Sequence, residues 1–221
     1  MLKLENVLTR EEIARIRVDL ARADFYDGTL TGNPDHKRNL QADPRRVPQV
    51  KAAAGIVLDA MMRNKQFTEF AWPRKVEFIF NRYDGGMTYR RHADSALMGA
   101  DQTNAARIDV SATVFLTDPD SYDGGDLVME TPMGEYRFKE KPGTAVVYPT
   151  VYVHGVEPVT RGSRVSAILW IQSFIKDSHQ RQMAYRFYQL QRELYDTLPN
   201  SDLPARYDQI LQNLMRDWIE N

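Results

Sequence analysis

The stretch Lys75-Val76-Glu77-Phe78-Ile79-Phe80-Asn81-Arg82-Tyr83-Asp84-Gly85-Gly86 has the two-residue period of a β-strand, with Val76, Phe78 and Phe80 alternating with Glu77, Ile79 and Asn81 before a glycine turn. The same grammar continues downstream. Strands are predicted over Asp109–Leu116, Asp126–Glu130, Gly134–Phe138, Thr144–Tyr148, around His154–Val159 and over Arg164–Gln172. The breaks are turn chemistry: Asp118-Pro119-Asp120, Asp123-Gly124-Gly125, Pro142-Gly143 and Arg161-Gly162. Many short strands with no helix between them predict a barrel or sandwich rather than alternating βαβ units.

Helices flank this block. Thr9 followed by Glu11 and Glu12 is a capping-box arrangement, and Ile13, Ile16 and Leu20 repeat on one helical face. Pro48 opens a second helix running to about Asn64, after a Gly-, Pro-, Asn- and Asp-rich stretch from Asp27 to Asp43 that reads as a loop. Beyond the strands, Asp177 or Ser178 caps a helix with an apolar stripe of Met183, Phe187, Leu190 and Leu194. Pro199 and Pro204 bracket a break before a last helix carrying Tyr207, Ile210, Leu211, Leu214 and Trp218. The division read from this is 1–176 for the main domain and 177–221 for a C-terminal helical extension, whose stripes serve either the core or a homodimer.

Composition narrows the function classes. The 221 residues hold 29 Lys and Arg against 30 Asp and Glu, so no global field draws the chain to a polyanion or an anionic membrane. There is no cysteine, which excludes disulfides, thiolate metal sites and a cysteine nucleophile. Any metal must sit on nitrogen and oxygen. The N-terminal run MLKLENVLTREEIARIRVDL becomes charged too early for a signal peptide, and no run approaches the roughly 18 apolar residues of a membrane span, so the expected location is cytoplasmic.

His92 and Asp94 are two residues apart, so on extended backbone they leave the same face and can grip one ion. Alone, the pair also fits a polar strand end. His154 follows an apolar strand and the turn-like Tyr148-Pro149; alone it also fits a structural histidine. Together, two imidazoles and one carboxylate make the facial triad of non-haem Fe(II) oxygenases, with three positions left open for a bidentate 2-oxo acid and O₂. Arg164, ten residues on, opens a strand on which Arg164, Ser166, Ile168 and Trp170 alternate with Val165, Ala167, Leu169 and Ile171. Both faces are apolar enough to be buried, so a charged Arg164 there is expensive unless it meets an anion. As an exposed hairpin residue it would need no partner.

The run Tyr83-Asp84-Gly85-Gly86-Met87-Thr88-Tyr89-Arg90-Arg91-His92-Ala93-Asp94 resembles the Tyr-x-x-Gly-x-x-Tyr-x-x-His-x-Asp pattern of prolyl-4-hydroxylase-like oxygenases. Tyr122-Asp123-Gly124-Gly125-Asp126-Leu127 resembles their Tyr-x-Gly-Gly-Glu-Leu turn, with Asp126 in place of the usual Glu. The segment from Tyr148-Pro149 through His154, Val159-Thr160-Arg161-Gly162, Arg164 and Trp170-Ile171-Gln172-Ser173 is similar to the bacterial PKHD-type (prolyl/lysyl hydroxylase-like) enzymes, over nearly the whole chain.

That resemblance implies an α+β fold. Its core would be a double-stranded β-helix, or jelly roll, over about 74–174, with N-terminal support helices and the C-terminal helical extension. It places His92, Asp94 and His154 on the iron ligands and Arg164 on the anchor for the distal carboxylate of 2-oxoglutarate. Ser166 and Tyr83 fall at the cosubstrate, Tyr89 and Trp170 on the substrate side, although buried aromatic packing accounts equally for the three aromatics. The implied reaction couples oxidative decarboxylation of 2-oxoglutarate to hydroxylation, with Fe(II) as cofactor, O₂ as cosubstrate and L-ascorbate as a protecting reductant. The substrate, a peptide or a small molecule, is not written in these residues; the segments Asp27–Asp43 and Ser95–Ala106 are where it would be read. Two other readings stand beside this one. A nucleic-acid demethylating oxygenase shares Asn81-Arg82-Tyr83 but places a second arginine where this chain has Trp170, and near-neutral charge weakens a nucleic-acid partner. A non-catalytic iron- or 2-oxoglutarate-binding module would tend to have lost a ligand or the arginine, and all four are present.

Overall fold

The computed structural model describes residues 1–31, 34–99 and 105–220. Two antiparallel sheets carry the fold. The larger has seven strands, in the order Leu2–Leu4, Ala145–Pro149, Val110–Phe115, Ser163–Ser173, Pro73–Asp84, Leu40–Ala42, Tyr26–Asp27. The smaller has five, in the order Gly134–Phe138, Leu127–Thr131, His154–Val156, Thr88–His92, Lys37–Arg38. Their facing sides meet through Phe115, Val146 and Tyr148 from the first and Leu127 and Met129 from the second. The chain is thus a jelly roll.

Strand parity decides what each side of the large sheet does. Val110, Ala112, Val114, Ala167, Leu169, Ile171, Phe78 and Phe80 pack outward in one apolar cluster with the helices. Helix α1 (Arg10–Ala21) contributes Ile16 to it, α2 (Lys51–Arg63) contributes Ala53, Val57 and Met61, and α3 (Lys65–Ala71) contributes Phe67. The opposite parity, Ser111, Thr113, Asn81, Tyr83, Arg164, Ser166 and Trp170, turns into the space between the sheets. Long-range sheet pairing of this sort leaves one face free to carry polar residues because the other alone provides a helix-covered core.

Local signals mostly produce the expected elements. Thr9 accepts from the Glu12 amide at 3.2 Å while Glu12 reaches back to the Thr9 amide at 2.9 Å, the reciprocal cap that starts α1. Asp177 caps α4 (Ser178–Thr197) by accepting from the Gln180 amide at 2.8 Å.

Three expectations are corrected. The segment 27–43 is not a plain loop: Tyr26–Asp27 and Leu40–Ala42 extend the large sheet, and Lys37–Arg38 pairs with Thr88–His92 in the small one. Its strand character was hidden because its inward residues, Lys37, Asn39 and Gln41, are polar. The second helix does end near Asn64, but Asn64 then caps the unpredicted α3 by accepting from the Phe67 amide at 3.1 Å. On α4 the buried face is Arg181 and Ala184 with Phe187 and Tyr188 against them, while Leu190 is 43% exposed, so the stripe is rotated from the one read in the sequence. Of the segment 95–106, Leu97–Met98 pairs with Ala106–Arg107, and residues 100–104 lie outside those described.

The C-terminal helices pack against each other, against α3 and against the residues that flank the two long central strands. Ala184 of α4, with Leu211 and Met215 of α5 (Leu203–Trp218), buries against Ile175 and Trp72. Arg181, 6% exposed, donates to the carbonyls of Ile175 and Lys176 at 2.7 Å each. The Ile175 carbonyl would otherwise lie buried without this donor, so Arg181→Ala should cost about 1–3 kcal/mol, read as a lower midpoint in urea unfolding. A midpoint unchanged from wild type would show that water replaces the guanidinium freely.

Candidate active site

Two strands far apart in sequence bring the imidazoles together. His154 lies directly opposite His92 across the pair formed by His154–Val156 and Thr88–His92, and the ring centroids are 4.5 Å apart. Asp94 follows just beyond the end of its strand rather than on it, yet its side chain turns back to both rings. Oδ1 is 3.7 Å from His92 Nε2, and Oδ2 is 3.7 Å from His154 Nε2. One potential ligand atom from each residue lies within 4.8 Å of the others, the only such trio of metal-ligating side chains among the described residues.

Hydrogen bonds to the backbone select the tautomers. His92 Nδ1 is 2.9 Å from the Arg90 carbonyl and His154 Nδ1 is 3.0 Å from the Tyr152 carbonyl. A carbonyl can only accept, so each Nδ1 carries the proton and each Nε2 turns a lone pair toward Asp94. Burial pushes the His154 pKa below the ordinary histidine value, favouring the neutral, ligating form. Burial would raise the Asp94 carboxyl, but the two imidazoles, whose positive charge when protonated favours the carboxylate, and the Ser111 hydroxyl outweigh it and hold the pKa below the usual range. Asp94 Oδ2 also accepts from Ser111 Oγ and from Trp170 Nε1, each at 2.9 Å. The Tyr89 ring stacks on His92 at 3.7 Å between centroids.

Arg164 occupies the far wall. It is 1% exposed, and its guanidinium faces the rings of Tyr83 and Phe115 at 5.4 and 5.3 Å. One nitrogen donates to Ser166 Oγ at 3.0 Å, while Nε and the other terminal nitrogen have no partner. A guanidinium does not deprotonate, so this is a buried charge with donors to spare, the arrangement expected where a carboxylate is to be received. Gly125, at φ +70°, explains the close wall behind it: a Cβ there would lie 2.9 Å from Val159 Cγ2 and 3.2 Å from Arg164 Cδ. Tyr83 beside it is fully buried, and burial pushes its hydroxyl up to about 12, so it stays a neutral phenol. Between the imidazoles and the guanidinium lies a narrow cavity of about 30 Å³, lined also by Asn81, Thr113, Tyr148 and Ile168.

Residues 78–172 match the model of the 2OG-Fe(II) oxygenase superfamily. A PKHD-type hydroxylase of Gluconacetobacter diazotrophicus is 38% identical over 224 residues, 99% of this chain and 98% of its own length. One from Stutzerimonas stutzeri is 37% identical over 225 residues, covering 100% and 99%. The chain belongs to the PKHD-type hydroxylases. It is therefore a dioxygenase of the class that uses Fe(II), 2-oxoglutarate and O₂. Solved folds agree: a Pseudomonas putida prolyl-4-hydroxylase superposes with TM-score 0.55 at 22% identity, over 78% of this chain and 91% of that one. HygX from Streptomyces hygroscopicus, solved with nickel and 2-oxoglutarate, gives 0.55 at 16% identity, over 79% and 84%.

In this PKHD-type hydroxylase seven of the eight residues singled out from sequence line one space. His92, Asp94 and His154 stand together, Arg164 and Tyr83 face them with Ser166 bonded to Arg164, and Tyr89 and Trp170 also line the cavity. Trp170 has a contact that sequence did not foretell, its indole N–H on Asp94. Ser111, Thr113 and Tyr148 were not singled out. Ser111 and Thr113 left a trace, as polar residues at alternate positions of an otherwise apolar strand; Tyr148 was read as part of the turn-like Tyr148-Pro149 of the family-like segment. Among the described residues no helix is long and apolar enough to cross a membrane.

Proposed function

We propose that His92, Asp94 and His154 hold the ferrous ion and that Arg164, with Ser166, holds the distal carboxylate of 2-oxoglutarate in the hydroxylation of a peptide or small-molecule substrate. The observation that carries this reading is the buried Arg164 guanidinium with two unpartnered nitrogens across the cavity from three converging ligands. The donor set fits the metal: two neutral imidazoles and one carboxylate leave half of an octahedral shell open. When bound, the iron with 2-oxoglutarate and O₂ supplies the oxidising chemistry, giving succinate, CO₂ and a hydroxylated substrate carbon.

The protein's own part is orientation and exclusion of water. The carbonyls of Arg90 and Tyr152 hold the imidazoles in ligating tautomers, and Trp170 and Ser111 fix the Asp94 carboxylate. Tyr83, Phe115 and Tyr148 make the walls dry, which strengthens the contact between Arg164 and its anion. Tyr89, stacked on His92, and Trp170 face the substrate side of the cavity.

The direct test is succinate formation that needs Fe(II), 2-oxoglutarate and O₂ together, compared with a His92→Ala variant. Equal succinate from both would favour a non-catalytic binding module. Ascorbate belongs to the same proposal and should prolong turnover without changing its initial rate. Trp170→Phe keeps the ring but removes the donor to Asp94; partners of this kind are worth roughly 10–100-fold in metal affinity. The expected result is weaker Fe(II) binding by that factor at an almost unchanged melting temperature. A homodimer through the C-terminal helices is also part of the reading, supported by Leu190, Leu203 and Ile210 at 43, 50 and 70% exposure.

A further inference from the structure

The strip from Lys37 to Gln41 carries polar side chains into the interior: Lys37, Asn39 and Gln41 are 4, 2 and 1% exposed. Gln41 is satisfied, donating to Asn81 Oδ1 at 3.0 Å and accepting from Thr31 Oγ1 at 2.6 Å. Lys37 is not. Its ammonium donates to Thr31 Oγ1 at 2.9 Å, a neutral oxygen, and lies 5.2 Å from the centre of the Tyr89 ring. Among the described residues no carboxylate forms an ion pair with it. Burial lowers the amine to about 8 even with the Asp94 charge pulling the other way. A buried ammonium without a counter-charge is unfavourable, and proteins usually give such a group an anion to meet.

Its position says which anion. Lys37 pairs directly with Tyr89, and the Tyr89 ring stacks on His92. The ammonium and a proposed iron ligand therefore share one aromatic neighbour. Arg164 lines the cavity from the opposite sheet and is assigned to the cosubstrate, while Lys37 stands beside Tyr89, which lines the cavity from its own sheet. The two cations belong to different sheets, so a dicarboxylate held by Arg164 leaves Lys37 to another molecule. A single ammonium beside one hydroxyl matches a singly charged carboxylate better than a phosphate, which draws several donors.

We infer that Lys37 binds a carboxylate of the substrate, so that the enzyme acts on a molecule carrying a free carboxylate near the carbon it hydroxylates. This rests on the proposed function, because it takes Arg164 as occupied by 2-oxoglutarate and the three ligands as occupied by metal.

The test uses the full chain loaded with Mn(II) and 2-oxoglutarate, in which no turnover obscures binding. The probes are N-acetyl derivatives of the protein amino acids, each as the free acid and as the primary amide, titrated calorimetrically. At least one acid should bind roughly 10- to 100-fold more tightly than its amide. Lys37→Met should erase that preference, Lys37→Arg should keep part of it, and both should bind 2-oxoglutarate as wild type does. The inference is overturned if no acid outbinds its amide, or if the preference survives in Lys37→Met. Should Lys37→Met lose 2-oxoglutarate as well, Lys37→Gln decides: a variant that binds 2-oxoglutarate and still prefers the acid overturns the inference, and one that has lost the preference supports it. Failure of wild type to bind 2-oxoglutarate at all is a different result, and removes the proposed function on which this stands.

Discussion

Arg164→Met is expected to abolish 2-oxoglutarate binding at ordinary concentrations and, at the same time, to raise the melting temperature of the protein without cosubstrate. Both effects come from one fact: the guanidinium is 1% exposed and keeps two nitrogens unpartnered. Losing a two-pronged, buried contact to a carboxylate costs about 3 kcal/mol or more, at least about a hundredfold in Kd. Without the anion, however, the same charge is a liability, and an apolar side chain of similar length relieves it. Exchanging buried charge for apolar volume stabilises by on the order of 1–3 kcal/mol. That is roughly 2–4 °C per kcal/mol for a chain of this size. The contacts with the Tyr83 and Phe115 rings oppose this gain, and methionine retains part of the packing. The decisive measurement is melting with and without 2-oxoglutarate. Wild type should rise with ligand by mass action, and the variant should start higher and not move. A variant that starts lower than wild type and still responds to 2-oxoglutarate would remove Arg164 from the anchor.

His154→Ala should have the largest effect on the metal. On the proposed reading the imidazole supplies one of three ligand atoms, so its loss should exceed the roughly 10–100-fold that follows from removing an orienting partner such as Trp170. The expectation is protein that carries no Fe(II) after dialysis and forms succinate at background. The fold should survive, because His154 contributes little to the apolar clusters that bind the sheets and helices together. Near-wild-type iron content would place the metal elsewhere. A further arm separates folding from ligation: far-ultraviolet dichroism unchanged alongside lost iron assigns the defect to the site, whereas lost dichroism assigns it to the strand pair.

Much of this was legible from short-range pattern. The capping box at Thr9 and Glu12 works between residues three apart, and the parity of Arg164, Ser166, Ile168 and Trp170 is fixed by a two-residue period. The candidate site residues could be picked out for the same reason, since His92 and Asp94 are near neighbours and His154 and Arg164 sit at recognisable strand starts. The segment 27–43 was misread because the usual sign of a buried strand is apolar alternation, and here the alternating inward residues are Lys37, Asn39 and Gln41. The stripe on α4 was misplaced because several faces of that helix carry apolar residues, and only docking against Trp72 and Ile175 chooses among them.

The amino-acid order by itself determined the alternating strands, the turns between them, the helix caps and the chemical character of the four principal site residues, because each follows from interactions within a few residues of chain. Tertiary structure alone decided that His154 faces His92 across a ladder, that Trp170 and Ser111 both aim at one oxygen of Asp94, and that an ammonium is buried beside Tyr89. Those are matters of register between strands separated by up to 76 residues. Register is fixed where a face of the sheet is buried, and burying it takes the whole fold.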